Sequence, residues 1–378
     1  MKKILFVIPE YSHGGTNKSL ENLLYFLDKE KYDINIYCLY EDGGDYYKNI
    51  FKPYIIKKSR LYYWLHDNIM TRKIIGLLNR ITRRDNYSWL YRREANLIQE
   101  KYKYDSIIAY QEGLATQFVS FIKNNAYKIA WYHSPYMAFG EKEKKDFENL
   151  YQDYSKIVCV SETFADGMKK LFPCFSSNFV TVYNTLDTKM IRNSSYDITS
   201  DFPNKSHFTI LSVGRFAEKS QFHLIPEIVY NLSKIVDHDR FKWYIIASGT
   251  AYEKITKKEI ERYQVQDNVA FLGPKDNPYP FIRNSNLVVC TSISESFSYV
   301  IAEAKVLHTP VLSNDFPVAY EVVDETMGWI ANIKDMPQVL ARIIGNEDGE
   351  YTRKKKTAMN FEYSNEQILH KIDQLLQN

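Results

Sequence analysis

The chain has 378 residues, of which 45% are apolar and 25% charged, a balance that fits a folded protein and excludes a disordered one. At roughly 100 to 200 residues per domain, this length predicts two domains. No apolar run approaches the ~18 residues that a membrane-spanning helix needs. We therefore expect a protein that is soluble or at most peripheral to a membrane.

The net charge of +3 conceals a local excess of basic residues. Residues 52–103 contain thirteen Lys or Arg against four Asp or Glu, a surplus of +9. The remainder of the chain has 36 basic and 42 acidic residues, or −6. The basic charge is concentrated in one segment, which predicts a surface for an anionic partner.

Four cysteines are widely separated, show no C-x-x-C spacing and mostly lie in apolar runs: Cys38, Cys159, Cys174 and Cys290. This pattern is typical of buried free thiols rather than of disulfides or a metal site. It favours a reducing compartment, so we expect a cytoplasmic protein.

In the first half of the chain, short apolar runs alternate with amphipathic stretches, which is typical of helices packed on both faces of a parallel sheet. The predicted strands are Lys3–Ile8, Asp33–Leu39, Ser106–Tyr110, Lys128–His133, Lys156–Ser161 and Phe179–Tyr183. The predicted helices include Asn17–Leu27, Ala115–Lys123 and Glu162–Phe172.

The apolar periodicity disappears between residues 184 and 206, which predicts a linker before a second alternating block. The strands predicted there are Phe208–Val213, Trp243–Ala247, Asn268–Leu272, Asn286–Cys290 and Val311–Ser313. The predicted helices are Gln221–Val236, Tyr252–Tyr263, Pro280–Asn284 and Ser298–Leu307, followed by a polar helical tail over 336–377.

Ligands of open parallel sheets bind beyond the carboxyl ends of the strands, so the loops there are the candidate sites. Gly14 and Gly15 open a helix after the first strand, where glycines let a ligand approach the backbone and helix N–H groups attract an anion. An ordinary turn is the alternative. The pattern is neither G-x-G-x-x-G nor a P-loop, which weakens dehydrogenase and P-loop interpretations.

Cationic side chains follow the first strand of the second block. Arg215 could clamp a diphosphate through two parallel hydrogen bonds, and Lys219 adds a point charge. An ion pair with Glu218 at the surface is the alternative. The position at a strand end favours the diphosphate.

Two carboxylates, Glu295 and Glu303, follow the strand that ends at Cys290 and are eight residues apart. This spacing places one in the loop and one two turns into the next helix, both directed toward the strand ends. One can accept hydrogen bonds from sugar hydroxyls and the other from ribose hydroxyls. The backbone N–H groups between them could hold a phosphate; they belong to Phe297, Ser298, Tyr299 and Val300. Two unrelated surface glutamates are the alternative.

His133 ends a predicted strand of the first block. A lone histidine in this position is more often structural than catalytic unless an independent observation places it at a site.

The glycine pair, the histidine, the cationic segment and the two glutamates form a set of motifs. In their type and order, these motifs resemble those of the retaining glycosyltransferases of family 4, within the glycosyl transferases group 1. That resemblance implies an α/β protein with the GT-B fold, in which two Rossmann-like domains face each other across a cleft. Glu295 and Glu303 match the family's E-x7-E motif, and Gly214-Arg215 its phosphate motif. The implied domains are 1–190 for the acceptor and 205–358 for the donor, with 360–378 crossing back to the first.

The resemblance also implies roles. Glu303 would bind the ribose, Glu295 the donor sugar, and Arg215 and Lys219 the diphosphate, while Gly14 and Gly15 would border the donor. His133 would lie beside the reacting sugar, so the implied catalytic residues are His133, Glu295 and Arg215. Such enzymes generally need neither a metal nor a cofactor, because cationic side chains and helix starts stabilise the charge.

Two departures from the family pattern concern single positions. Lys219 is one or two residues closer to Arg215 than is usual, and Ser296 replaces a common glycine. Neither removes an implied catalytic group.

The implied activity is transfer of a hexosyl-type sugar, with retention, from a nucleotide-diphosphate sugar to a hydroxyl of a glycan or lipid-linked acceptor. A UDP-sugar is favoured over a GDP-sugar, and cell-surface polysaccharide synthesis is the usual task of such enzymes. A nucleotide-sugar epimerase on the same fold, or a non-catalytic scaffold that binds sugar nucleotides, are the alternatives. Product analysis with donor alone separates the epimerase, since it needs no acceptor.

Aromatic residues interleave with the basic segment, a mixture expected at an anionic membrane surface. The candidate residues are Trp64, Arg80, Arg83, Arg84, Trp89, Arg92 and Arg93. The hypothesis is peripheral docking on the inner membrane face; a solvated protein face is the alternative. Nucleic acid is a poor fit, because the rest of the chain is net negative and has no recognition motif.

Overall fold

The computed structural model describes residues 1–12, 14–68, 70–71, 73–74, 88–123, 125–134, 141–197, 207–249 and 251–377. The chain divides into two compact units. The first comprises Met1–Leu186 and Asn365–Asn378, and the second Asp187–Ser364. Each unit contains a six-stranded parallel sheet with helices between the strands, so the α/β prediction is confirmed.

The first sheet has the strand order β2-β1-β3-β4-β5-β6. Its strands are β1 Lys2–Ile8, β2 Tyr32–Cys38, β3 Ser106–Ala109, β4 Tyr127–Tyr132, β5 Lys156–Cys159 and β6 Phe179–Thr181. The helices of this part of the chain are α1 Gly15–Phe26, α2 Asp45–Phe51, α3 Arg60–Tyr62, α4 Ser88–Tyr102, α5 Leu114–Ser120, α6 Glu141–Tyr151 and α7 Glu162–Leu171. A π-helical turn, Tyr63–Asp67, follows α3.

The second sheet has the strand order β12-β11-β10-β7-β8-β9. Its strands are β7 Phe208–Arg215, β8 Phe241–Ser248, β9 Val269–Phe271, β10 Leu287–Cys290, β11 Val311–Asn314 and β12 Gly328–Ala331. Its helices are α8 Thr188–Ser194, α9 Ile225–Leu232, α10 Ala251–Tyr263, α11 Tyr279–Asn284, α12 Tyr299–Val306, α13 Ala319–Val322, α14 Met336–Gly345 and α15 Glu350–Ala358. The last helix, α16 Glu366–Gln377, belongs to the first unit.

The strand centres are apolar because helices cover both faces of each sheet. In β1 the five residues from Ile4 to Ile8 have no exposed surface. In the second unit the buried Trp243 donates its indole N–H to Ser212 Oγ at 3.1 Å, and Ser212 donates to the Val289 carbonyl at 2.7 Å. These bonds join β8, β7 and β10. They give hydrogen-bond partners to polar atoms that would otherwise be buried without one.

The predicted linker is wrong in part, because α8 occupies its middle. Asp187 caps this helix by accepting from the Met190 N–H at 2.9 Å, and Ile191 is buried. The Asn277 amide then donates to the Ser194 carbonyl at 2.8 Å, which fastens the end of α8 within the second unit. A seven-residue helix with one buried apolar residue does not repeat its apolar positions, so the sequence shows no helical periodicity there.

The predicted helix over 221–236 starts later and ends earlier than expected. Gln221 adopts a left-handed conformation with φ of 54°, which interrupts a helix, and Pro226 fits within the first turn of α9. Strand β12 was not predicted. Its Gly328 lies so close to β11 that a Cβ there would approach the Val311 carbonyl oxygen to 2.7 Å.

The cysteines follow the prediction except for one. Cys38, Cys159 and Cys290 are buried thiols, whereas Cys174 is exposed, because it lies in a short 3-10 turn and not in a strand. Among the described residues, no helix combines the length and apolar character needed to cross a membrane.

Candidate functional site

The phosphate-motif residues lie where β7 ends. Arg215 is the last residue of that strand and is exposed. Gly214 faces the Phe222 ring, where a Cβ would come within 3.1 Å of the ring edge. The next turn, a 3-10 helix over Glu218–Ser220, carries Lys219. Both cationic side chains therefore belong to the carboxyl end of one central strand.

The two glutamates follow β10, the strand beside β7. Glu295 lies in the loop with 24% of its side chain exposed, and Glu303 lies in α12 and is 2% exposed. Tyr279, at the start of α11, is within hydrogen-bonding distance of Glu303, with its hydroxyl 3.4 Å from Oε1. A carboxylate this buried needs hydrogen-bond donors, and the Tyr279 hydroxyl is placed to supply one.

Ser298 precedes α12 in a left-handed conformation with φ of 62°. A residue with a Cβ pays a steric cost there that glycine does not. The turn leads directly into the helix start, so the N–H groups of residues 297–300 lie between the two glutamates in sequence. Phe297 is buried, and its ring packs edge to face on Tyr299 at 5.3 Å.

Three contacts join the cationic turn to the carboxylate loop. Lys219 Nζ lies 3.1 Å from Glu295 Oε2. The Ile293 N–H donates to the Lys219 carbonyl at 3.0 Å, and the Thr291 hydroxyl donates to the Ser220 carbonyl at 2.6 Å. The structure thus brings together the Arg215–Lys219 segment and the Glu295–Glu303 segment at one sheet edge.

The glycine loop of the first unit is fixed by its neighbours. Gly14 precedes α1 in an extended conformation, and Gly15 begins the helix. The Asn17 amide donates to the carbonyls of Glu10 at 3.0 Å and Ser12 at 2.8 Å. Gly43, with φ of 110°, comes so close to Ser12 that no side chain would fit. These contacts hold the backbone around Gly14 at the carboxyl end of β1.

His133 follows β4 and is partly exposed as a residue, but its Nε2 is buried. The ring packs against Tyr110 at 4.9 Å. Desolvation by burial lowers the pKa of His133 to about 3. At neutral pH the imidazole is therefore uncharged.

Glu112, in the loop after β3, is a residue that sequence reasoning missed. Its Oε2 accepts from the His133 N–H at 2.9 Å, and its other oxygen accepts from the Ser134 hydroxyl. The carboxylate thus bridges the loops that follow β3 and β4. The sequence offered one weak signal, its place after a predicted strand and just before Gly113, which does not distinguish it from a surface glutamate.

The basic segment is less uniformly exposed than its charge suggests. Lys58 has 6% of its side chain exposed and pairs with Asp67 at 2.7 Å and Glu41 at 3.5 Å. Glu94 is also buried and accepts from the Ser59 N–H at 2.7 Å. Part of the segment's charge is therefore neutralised inside the unit, and the surface for an anionic partner stays a prediction.

The aromatic candidates of the segment do face outward. Trp64 is 58% exposed and Trp89 52%. Arg92 and Arg93 are exposed, and Arg92 stacks on the Phe121 ring at 5.0 Å. Three further candidates, Arg80, Arg83 and Arg84, lie outside the described residues.

In the described part of the chain, no three His, Cys, Asp or Glu side chains cluster so as to hold a metal ion. Metal independence stays a prediction.

The chain has two α/β units, each with a six-stranded parallel sheet, and this is the architecture of the GT-B fold. The whole chain aligns with a HepE structure from Anabaena, solved with UDP and glucose, at a TM-score of 0.73 and 16% identity over all of both chains. A glycosyltransferase from Rickettsia africae gives 0.75 and 16% identity over all of this chain and 98% of that one. These likenesses establish the fold, and the GT-B prediction is confirmed.

Residues 198–366 match the family model described as glycosyl transferases group 1. This match covers the second block of the chain and agrees with the family that the resemblance named. An uncharacterized glycosyltransferase of Methanocaldococcus jannaschii is 31% identical over 112 residues, 29% of this chain and 27% of that protein. The O-antigen chain mannosyltransferase RfbU of Salmonella typhimurium is 24% identical over 200 residues, 49% and 53% of the two chains. The chain thus spans between about a quarter and a half of the curated relatives it matches.

Proposed function

We propose that this protein transfers a hexosyl-type sugar from a nucleoside-diphosphate sugar to a hydroxyl of a glycan or lipid-linked acceptor, with retention at the anomeric carbon. The observation that carries the proposal is the 3.1 Å contact between Lys219 and Glu295. A sugar and the diphosphate attached to it are adjacent groups, so their site needs a cation and a hydroxyl acceptor side by side. This sheet edge supplies both.

The neighbouring residues suit the other parts of such a donor. The exposed guanidinium of Arg215 can clamp the diphosphate through two hydrogen bonds, and the helix start at residues 297–300 offers backbone N–H groups. The buried Glu303 carboxylate can accept from the two ribose hydroxyls. Gly14, Gly15 and His133 follow strands of the first unit and are the residues there that the resemblance assigns to donor and acceptor.

In the proposed reaction the bond from the anomeric carbon to the diphosphate oxygen breaks while a bond to the acceptor oxygen forms on the same face. The acceptor proton passes to the departing phosphate oxygen. Negative charge grows on the diphosphate, where Arg215 and Lys219 stabilise it. The neutral His133 would contribute hydrogen bonding and shape rather than a positive charge.

Several relatives support a UDP-sugar and a role at the cell surface. HepE was solved with UDP and glucose, and TarM of S. aureus with UDP and alpha-GlcNAc-glycerol, at a TM-score of 0.73 and 16% identity over all of both chains. RfbU is named for the O-antigen chain. We favour a UDP-sugar donor over a GDP-sugar and a task in surface polysaccharide synthesis.

The test is product analysis with purified protein, a UDP- or GDP-sugar and candidate glycan or lipid-linked acceptors, with EDTA present. We expect a glycoside whose anomeric configuration, read by NMR, equals that of the donor. An inverted product would contradict retention, and loss of turnover in EDTA would contradict metal independence. Conversion of the donor alone would indicate an epimerase, and donor binding without turnover a scaffold.

We also propose that the first unit docks on an anionic membrane surface at the inner face. Trp64 and Trp89 expose over half of their surface, and Trp89 lies close in sequence to the exposed Arg92 and Arg93. Such a surface combines apolar insertion with charge attraction.

Co-sedimentation with vesicles tests this docking, using phosphatidylcholine alone or with phosphatidylserine. Binding should require the anionic lipid and weaken in the Trp64→Ser and Arg92→Gln/Arg93→Gln variants. A matched variant, Arg240→Gln, changes an exposed arginine of the second unit and should bind as the wild type does. Unchanged binding by all variants would contradict the proposal.

A further inference from the structure

Thr291, the first residue after β10, carries a buried hydroxyl that no motif accounts for. The residue has no exposed surface, and its Oγ1 donates to the Ser220 carbonyl at 2.6 Å. Ser220 ends the 3-10 turn over Glu218–Ser220. The bond therefore ties the cationic turn after β7 to the loop after β10.

The ion pair between Lys219 and Glu295, which this bond supports, is weak by itself. Lys219 and Glu295 have 40% and 24% of their side chains exposed. An ion pair this exposed does little to fix the geometry of its partners. The turn must instead be held by its backbone, through Thr291 on Ser220 and through the 3.0 Å bond from the Ile293 N–H to the Lys219 carbonyl.

We propose that Thr291 is a positioning residue that sets Lys219 against the donor diphosphate while Glu295 receives the sugar. This inference rests on the proposed function. Without the hydroxyl, the partly buried Ser220 carbonyl would lose its side-chain donor and the turn would shift to find another. Lys219 would move with the turn, whereas Glu303, on α12, would stay in place.

The experiment measures dissociation constants by calorimetry for UMP and UDP, and for GMP and GDP, in the wild type and in Thr291→Val and Thr291→Ser. Valine keeps the shape but removes the hydroxyl, and serine keeps the hydroxyl. We expect Thr291→Val to weaken diphosphate binding by about fivefold, the loss of one hydrogen bond, and to leave monophosphate binding unchanged. Thr291→Ser should restore diphosphate binding.

Thr256→Val is the matched control. Thr256 is also fully buried and donates to a backbone carbonyl, that of Tyr252 within α10, at 2.7 Å. We expect it to cost stability and to leave the ratio of diphosphate to monophosphate affinity as in the wild type. Thr291→Ala serves as a second truncation if the valine variant does not fold. Adding Thr291→Val to Lys219→Met should cost no further diphosphate affinity.

A Thr291→Val variant with the wild-type affinity ratio would overturn the inference and leave the proposed function standing. Equal losses for monophosphate and diphosphate would also overturn it, because a general loosening would then explain the effect. A wild type that prefers neither UDP over UMP nor GDP over GMP would overturn the proposed function and the inference with it.

Discussion

The loops at the carboxyl ends of the strands, called here the first and the second sheet edge, are connected by different kinds of groups in the two units. At the second edge, charged side chains from two loops contact each other, as Lys219 and Glu295 do at 3.1 Å. At the first edge, beside the Glu112 carboxylate, neutral groups connect the elements: Ser19 Oγ lies 2.7 Å from the Tyr110 hydroxyl and donates to Asn184 Oδ1 at 2.6 Å. The proposed function accounts for the difference: the charged groups of the second edge would bind the donor, whereas the bonded groups of the first edge hold Tyr110, on which the His133 ring packs.

This comparison makes separable predictions. Single changes at the second edge should act on donor binding and turnover, because a charge that faces a ligand contributes little to folding. Changes at the first edge should act on stability, because its groups are buried and bonded to one another.

The largest expected effect is that of Arg215→Ala. Removing a group that stabilises charge in the transition state should lower kcat by about 100-fold or more, with little change in melting temperature. Initial rates with the donor identified in the product analysis provide the measurement. Arg262→Ala, on the exposed face of α10, is the control and should retain full activity. If Arg215→Ala were as active as Arg262→Ala, Arg215 would not belong to the donor site.

Glu303→Gln should come next. The amide keeps the size of the side chain but loses the charge and one acceptor, so we expect KM for the donor to rise by about tenfold with a smaller change in kcat. Steady-state kinetics over a range of donor concentrations separate the effect on KM from the effect on kcat. Glu253→Gln, on α10, should behave as the wild type. A fall in kcat at unchanged KM would place Glu303 at the reacting bond and not at the ribose.

At the first edge, the buried His133 should make stability depend on pH. Its pKa of about 3 lies below the value near 6.5 of an unfolded histidine, so the unfolded chain binds a proton first as the pH falls. The contribution to stability is complete above pH 6.5 and is lost toward pH 3, by at most about 1.4 kcal/mol per pH unit. Urea unfolding of the wild type and His133→Asn between pH 7 and 5 measures it. The wild type should show a steeper loss than the variant; parallel curves would contradict the burial of the ring.

The smallest effect concerns the backbone before α12. Ser298→Gly should relieve the left-handed conformation at φ of 62° and raise the free energy of unfolding by about 0.5–1 kcal/mol. Thermal unfolding measures the change, with Ser233→Gly, at the end of α9, as a control that should destabilise. A loss of stability in Ser298→Gly would show that the serine side chain contributes more than its conformation costs.

Sequence reasoning located every described strand except β12, and the loops that carry the motifs, because apolar runs of strand length and the parallel-sheet rule need no long-range information. It could not find Glu112, since a lone glutamate has no spacing that distinguishes it from a surface residue. The Thr291–Ser220 bond joins residues 71 positions apart and depends on β7 lying beside β10. The burial of Lys58 escaped notice because its partners Asp67 and Glu41 reach it from two other segments of the chain.

The most direct test of the central claim is calorimetric binding of UDP-, GDP-, ADP- and dTDP-sugars to the wild type and to Arg215→Ala, with EDTA present. We predict that one nucleotide class, with UDP first, binds the wild type selectively and loses most of its affinity in Arg215→Ala. Binding of no sugar nucleotide, or equal binding by both proteins, would contradict the assignment of the second sheet edge as the donor site.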